Sequence, residues 1–223
     1  MNKLLKYKAL VLDHDDTVVA STQSVHYPAF VKAINQIRPG HPVLSLMDFQ
    51  KMNLNPGLIS YYREVLAMSD EEILWEETLW REFAKGIVPQ PYPFINDILL
   101  KYTQHGGLIF VSSLNYLEII QRDYLAHFPQ VVLTDVFCKD QYEELIKPNP
   151  QQLFEIMATY DLNSNDILMV DDLQYGLQMA QQAQVDFAYA QYSQISPHNH
   201  RYFKQQAQII LNRPEELEQH LYL

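Results

Sequence analysis

The apolar run Ala9-Leu10-Val11-Leu12, followed at once by Asp13, Asp15 and Thr17, constrains this chain more than any other segment. A short continuous apolar run suits a strand of a parallel sheet covered on both faces. In open α/β sheets, ligands bind beyond the carboxyl ends of the strands. Alternate side chains of an extended segment point the same way, so Asp13 and Asp15 can face one ligand. The segment LVLDHDDTVV therefore predicts chemistry at a strand end rather than packing.

Downstream, two kinds of pattern follow. From Ser24 to about Gly86 the signal is helical, with Ile73, Trp80, Phe83 and Ile87 recurring as on one helix face. Ser69 and Glu72 form a capping-box pair for that helix. Beyond Pro93, apolar runs alternate with helical segments. The strand candidates are Leu108–Val111, Val131–Phe137, Ile167–Val170, Asp186–Ala190 and Gln208–Leu211. The helices are expected before Gly106-Gly107, around Tyr116–Ala126, and over Pro150–Tyr160 and Tyr175–Ala183. Such alternation implies βαβ units and a doubly wound, Rossmann-like parallel sheet. The expected division is an α/β core over 1–20 and 90–223, with an inserted helical cap over 21–89.

Composition narrows the class. The 223 residues suffice for one core and a modest second lobe. A content of 48% hydrophobic and 19% charged residues argues against disorder. The net charge of -11 disfavours nucleic acid as a partner, but not a small phosphorylated ligand held through a cation. Cys138 is the single cysteine, which excludes an intramolecular disulfide and fits a reducing compartment. The apolar stretch near Met1 is too short for a membrane span and lacks a signal cleavage site. A cytoplasmic protein with no membrane partner is expected.

Four clusters gather at the same predicted sheet edge: Asp13/Asp15/Thr17, Ser112/Ser113, Lys147 in IKPNP, and Asp171/Asp172. Singly, an aspartate after a strand is as readily a cap or turn former. Together, carboxylates, hydroxyls and an amine are what phosphoryl transfer requires. A phosphate monoester is dianionic, so a carboxylate nucleophile cannot approach it without neutralisation, which Mg²⁺ held by carboxylates supplies. Asp13 would attack phosphorus to give a phospho-aspartate. Asp15 would protonate the leaving alkoxide and then deprotonate water, with burial and like charges raising its pKa. Ser112, Ser113 and Lys147 would bind phosphoryl oxygens. The metal would sit among Asp13, Asp15, Asp171 and Asp172, with Thr17 as support.

The order DxDxT, a serine after the second strand, Lys-Pro, then an acidic pair resembles the haloacid dehalogenase superfamily over nearly the whole chain. The helical insertion after the first motif is similar to the cap of the phosphoglycolate phosphatase and β-phosphoglucomutase group. That resemblance implies Asp13 as nucleophile, Asp15 as acid/base, Ser112 and Lys147 on phosphate, and Asp172 as metal ligand. An acid at Asp15 points to phosphoryl transfer rather than dehalogenation. Three departures stand out: Asp16 replaces the usual glycine, Asp171 and Leu173 replace a glycine and a serine around Asp172, and Gln184 replaces a further glycine. Gly176 stands where many members place another aspartate.

Other residues read as less committed. Alternation turns His14 away from the ligand, and Trp75 and Trp80 read as cap core. His198 and His200 read as a surface loop, while His26, Tyr27 and Arg63 are candidates to face substrate. The leading function is a Mg²⁺-dependent phosphatase acting on a small phosphorylated metabolite. A sugar-phosphate mutase and a phosphate-ligand-binding protein without turnover are the alternatives. A receiver domain would place its acidic pair first rather than last.

Overall fold

A computed structural model describes residues 4–140 and 145–223. Six parallel strands form one sheet in the order β3-β2-β1-β4-β5-β6. They are β1 (Ala9–Leu12), β2 (Leu108–Ser112), β3 (Asp135–Phe137), β4 (Ile167–Asp171), β5 (Asp186–Tyr189) and β6 (Ile209–Ile210). The chain leaves β1 toward β2 and β3, then returns to β4 on the other side. β1 therefore sits centrally, where the strand order reverses and a ligand crevice forms. In register, Leu12 lies between Val111 and Val170, which aligns three strand ends at one edge.

Strand alternation sorts the core into two layers. Leu10, Leu12, Val111 and Val170 pack on one face against α5 (Ile95–Gln104), α6 (Leu117–His127) and α10 (Leu217–Leu221). On the other face Val11, Phe110, Met169 and Phe187 meet α7 (Gln151–Tyr160), α8 (Gln174–Ala183) and α9 (Pro197–Gln206). Covered on both sides, these strands read as continuous apolar runs rather than alternating ones. The expected strand over Val131–Phe137 shortens to three residues. β3 is an edge strand pairing only with β2, and Val132 is exposed before it. His198 and His200 belong to α9 rather than a loop, with Ser196 accepting a capping bond from the Asn199 amide.

Between β1 and α5 lie α1 (Tyr27–Ile37), α2 (Leu46–Leu54), the single turn α3 (Leu58–Ser60) and α4 (Asp70–Gly86). These helices and segment 61–68 share their own core of Phe30, Ile34, Phe49, Tyr61, Tyr62, Leu66 and Met68. The capping box read from Ser69 and Glu72 is formed, and Arg38 binds both Glu72 oxygens, tying the end of α1 to the start of α4. No helix among the described residues is long and apolar enough to cross a membrane.

Candidate active site

At the carboxyl edge of the sheet, Lys147 is buried and bridges two carboxylates. Its Nζ donates to Asp13 Oδ1 at 2.7 Å and to Asp171 Oδ2 at 2.6 Å. Burial alone would discharge this amine, but Asp13 and Asp171 together hold it charged. Asp13 is pushed up to about 7, chiefly by burial, with Asp171 and Asp15 adding to the rise against Lys147. Asp171 spends its second oxygen on the Leu173 amide, so it anchors Lys147 and the turn after β4. Gly176 backs this carboxylate: a Cβ there would lie 2.2 Å from Asp171 Oδ2. The aspartate expected at that position in related sequences has no room here.

Asp172 is different. Its Oδ2 accepts from Gln194 at 2.5 Å, while its Oδ1 is buried with no hydrogen-bond partner among the described residues. Burial raises its pKa well above the ordinary carboxylate value, with Asp16, Asp171 and Asp13 adding like charge. Asp13, Asp171 and Asp172 each offer an oxygen within 4.8 Å of the others. An orphaned carboxylate oxygen in such a cluster fits an oxygen-seeking divalent cation. The carboxylate of Asp15, expected among the ligands, is engaged elsewhere.

Asp15 binds outward, toward the helical insertion. Its Oδ1 lies 3.2 Å from His26 Nε2, and its Oδ2 accepts from Asn115 Nδ2 at 2.8 Å. A raised pKa was expected from burial and like charges. Instead burial is outweighed by the attraction and hydrogen bond of His26, and the carboxyl is held below its ordinary range. His26 is in turn fixed from behind, because Trp80 Nε1 donates to its Nδ1 at 2.7 Å. Trp80 thus belongs to the site, not to the helical core, while Trp75 is partly exposed.

The serines divide their roles. Ser112 and Phe110 share a face of β2, so the Ser112 hydroxyl turns under the sheet and donates to Gln152 Oε1 at 2.7 Å. Ser113 faces the cavity, its Oγ accepting the Asn115 amide. Thr17 is buried, and its carbonyl accepts from the Tyr192 hydroxyl at 2.7 Å, which pins the loop after Asp15. Asp16 adopts a left-handed backbone at φ 56°. Its carboxylate turns to the next helical turn, accepting the Thr22 amide and hydroxyl.

His14 is buried against α6, its Nε2 3.0 Å from Asp123 Oδ2. Asp123 also takes Arg122, whose guanidinium holds the carbonyls of Ala84, Lys85 and Ile87 at the end of α4. The catalytic-edge loop is thereby linked to the point where the helical insertion returns to the sheet. Three partners escaped the sequence reading: Asn115, Gln194 and Trp80. Asn115 carries a local signal, a polar residue just before a helix. Gln194 carries none, since it acts from 22 residues beyond Asp172.

Above the carboxylates opens a cavity of about 280 Å³, lined by Asp13, Asp15, Ser113, Lys147 and Asp172 below and by residues of α1, α2 and α4 above. His26 lines it, whereas Tyr27 packs in the helical core with its hydroxyl on the Leu44 carbonyl. Arg63 is exposed and pairs with Asp70.

The family model described as haloacid dehalogenase-like hydrolase matches residues 10–190, and the chain belongs to that family. Among solved structures, a predicted phosphoglycolate phosphatase from Haemophilus somnus is 15% identical with a TM-score of 0.76, covering 96% of this chain and 97% of that one. A haloacid dehalogenase-like family protein from Streptococcus pneumoniae is 16% identical with a TM-score of 0.74, covering 95% and 97% respectively. A provisionally named β-phosphoglucomutase from Bacteroides vulgatus is 16% identical with a TM-score of 0.72, covering 97% and 88%. These likenesses establish the fold. No curated protein matches the chain in sequence.

Proposed function

We propose that this haloacid dehalogenase-like hydrolase is a Mg²⁺-dependent phosphatase acting on a small phosphorylated metabolite through a phospho-aspartate. The observation that carries the reading is the buried Lys147 bridging Asp13 and Asp171 beside the orphaned oxygen of Asp172. The names of two solved relatives, a phosphoglycolate phosphatase and a β-phosphoglucomutase, agree with phosphoryl transfer.

Asp13 and Asp172 would hold the Mg²⁺, which when bound neutralises phosphoryl charge so that a carboxylate can approach. In the first half-reaction an Asp13 oxygen forms a bond to phosphorus as the ester oxygen departs, and Asp15 gives that oxygen its proton. A dianionic phosphate arriving beside Asp15 raises its pKa against the grip of His26. In the second, water attacks the phospho-aspartate, Asp15 takes the proton, and the Asp13–phosphorus bond breaks to release phosphate. Lys147 keeps Asp13 oriented and meets the phosphoryl oxygens, and Ser113, which faces the cavity, offers the hydroxyl. The helical segment 21–89 acts as a cap that excludes water from the first step.

Phosphate release from p-nitrophenyl phosphate, measured with and without Mg²⁺, tests this. Activity that needs Mg²⁺ and vanishes in Asp13→Asn supports it. Folded protein that turns over nothing in a broad panel of phosphate esters refutes it.

A further inference from the structure

The upper half of the cavity is built for a different charge from the lower half. Ile73, Glu76, Glu77 and Trp80 recur on one face of α4 and line the cavity together. Glu77 is spent, because it accepts from the Tyr116 hydroxyl and is ion-paired with Lys139. Glu76 is not: among the described residues its one hydrogen bond is from the Tyr62 hydroxyl at 3.0 Å and it makes no ion pair, though Lys139 and His26 attract it from a distance. The lysines that line the cavity, Lys139 and Lys147, are both already paired with carboxylates. His26 is committed to Asp15 and Trp80. Among the described residues lining the cavity, an anionic leaving group would thus meet the Glu76 carboxylate and no cation free of a carboxylate partner.

Aromatic faces complete this end. Phe30 and Tyr62 lie nearly parallel, with ring centroids 6.4 Å apart, and both line the cavity with Trp80. Aromatic walls beside a carboxylate attract ammonium groups through the ring quadrupole. Burial raises the pKa of Glu76, so a charge there is costly unless a cation pairs with it. His26 links Asp15 to Trp80, so an alcohol protonated by Asp15 would leave next to this end of the cavity.

We propose that the cavity takes the phosphate monoester of an amino alcohol, with Glu76 pairing the ammonium group and Phe30, Tyr62 and Trp80 flanking it. The assignment rests on the phosphatase reading for turnover, but its charge selectivity is testable by binding alone. A carboxylate-bearing ester such as phosphoglycolate is excluded by the same charges.

The test compares kcat/KM for phosphocholine and phosphoethanolamine with that for glycerol phosphate and phosphoglycolate, in wild type and Glu76→Gln. The ammonium esters are expected to lead, and Glu76→Gln to lower their advantage over phosphoglycolate by about ten- to a hundredfold, the worth of one charge-assisted contact. A lead for phosphoglycolate or glycerol phosphate overturns the proposal. So does an unchanged ratio in Glu76→Gln, which would make Glu76 merely the acceptor for Tyr62. Calorimetric binding of the same esters to Asp13→Asn protein with Mg²⁺ separates the two readings. Ammonium-selective binding without turnover in wild type would sink the phosphatase and keep the substrate class. Turnover without that selectivity would do the reverse.

Discussion

Trp80 donates its indole N–H to Nδ1 of His26 at 2.7 Å, and this contact decides where the ring keeps its proton. Indole nitrogen only donates, so Nδ1 must offer a lone pair and the proton sits on Nε2, toward Asp15. The carboxylates of Asp15, Asp16 and Asp13 favour a charged ring against burial. A second proton on Nδ1 would set two N–H groups face to face, so Trp80 opposes the charge on His26 that the carboxylates favour.

Replacing Trp80 by Phe should free Nδ1 to protonate and tighten the grip of His26 on Asp15. Asp15 then gives up its role as acid more readily than its role as base. Turnover of alkyl phosphates is expected to fall on the order of tenfold, part of what a general acid contributes. p-Nitrophenyl phosphate, whose leaving group needs no proton, should lose much less. Equal losses on both esters would contradict this account.

Lys147→Met leaves Asp13 and Asp171 buried without their cation. Removing one partner of a buried ion pair costs about 3–5 kcal/mol, and urea unfolding should show a loss of that size. Added Mg²⁺ should recover part of it, since a cation among the carboxylates replaces the missing charge. Wild-type stability in the variant would argue against the bridge.

Asp16 and Gln184 occupy left-handed backbone, both at φ 56°, at two of the three positions where the family resemblance leads one to expect glycine. A side chain there costs about 1–2 kcal/mol relative to glycine. Gln184→Gly should therefore raise the thermal midpoint, as Gln184 caps the end of α8 with its backbone alone. Asp16 offsets the strain by capping Thr22, so Asp16→Gly should be near neutral, while Asp16→Ala, losing the cap and keeping the strain, should be clearly destabilised. Calorimetric midpoints of the three variants would expose any other order.

The junction of α1 and α4 should be acid-sensitive. Hydrogen bonds from Arg38, and then from the Ser69 amide, hold Glu72 down from 4.5 to about 2. A carboxyl whose folded pKa is depressed stabilises fully above its unfolded value and loses that contribution as pH falls through the folded one. The loss should run from about pH 4.5 toward 2 and be modest, since Glu72 is partly exposed. Acid titrations followed by circular dichroism should show Glu72→Gln already destabilised near pH 7 and its gap to wild type closing across that window. A constant gap would show that the pair is not responsible.

The sequence by itself determined the sheet, because buried parallel strands need unbroken apolar runs that stand out locally. It also placed Asp13, Lys147 and Asp172 at one edge, since strand ends align once the runs are in register. The roles of neighbours one or two residues away were not legible. Ser112 and Ser113 look equivalent in sequence, and only the pleat of β2 sends one beneath the sheet and the other into the cavity. The direction in which the Asp15 pKa shifts was not legible, because its deciding partner, His26, and the Trp80 behind it meet only after α4 folds back over α1. Asp16 stands in sequence only as a replaced glycine, and the turn at Thr22 supplies the donors that hold its carboxylate. Apolar periodicity is written along the chain. Which polar atom faces which is set by contacts between distant segments, and only the tertiary structure brings those together.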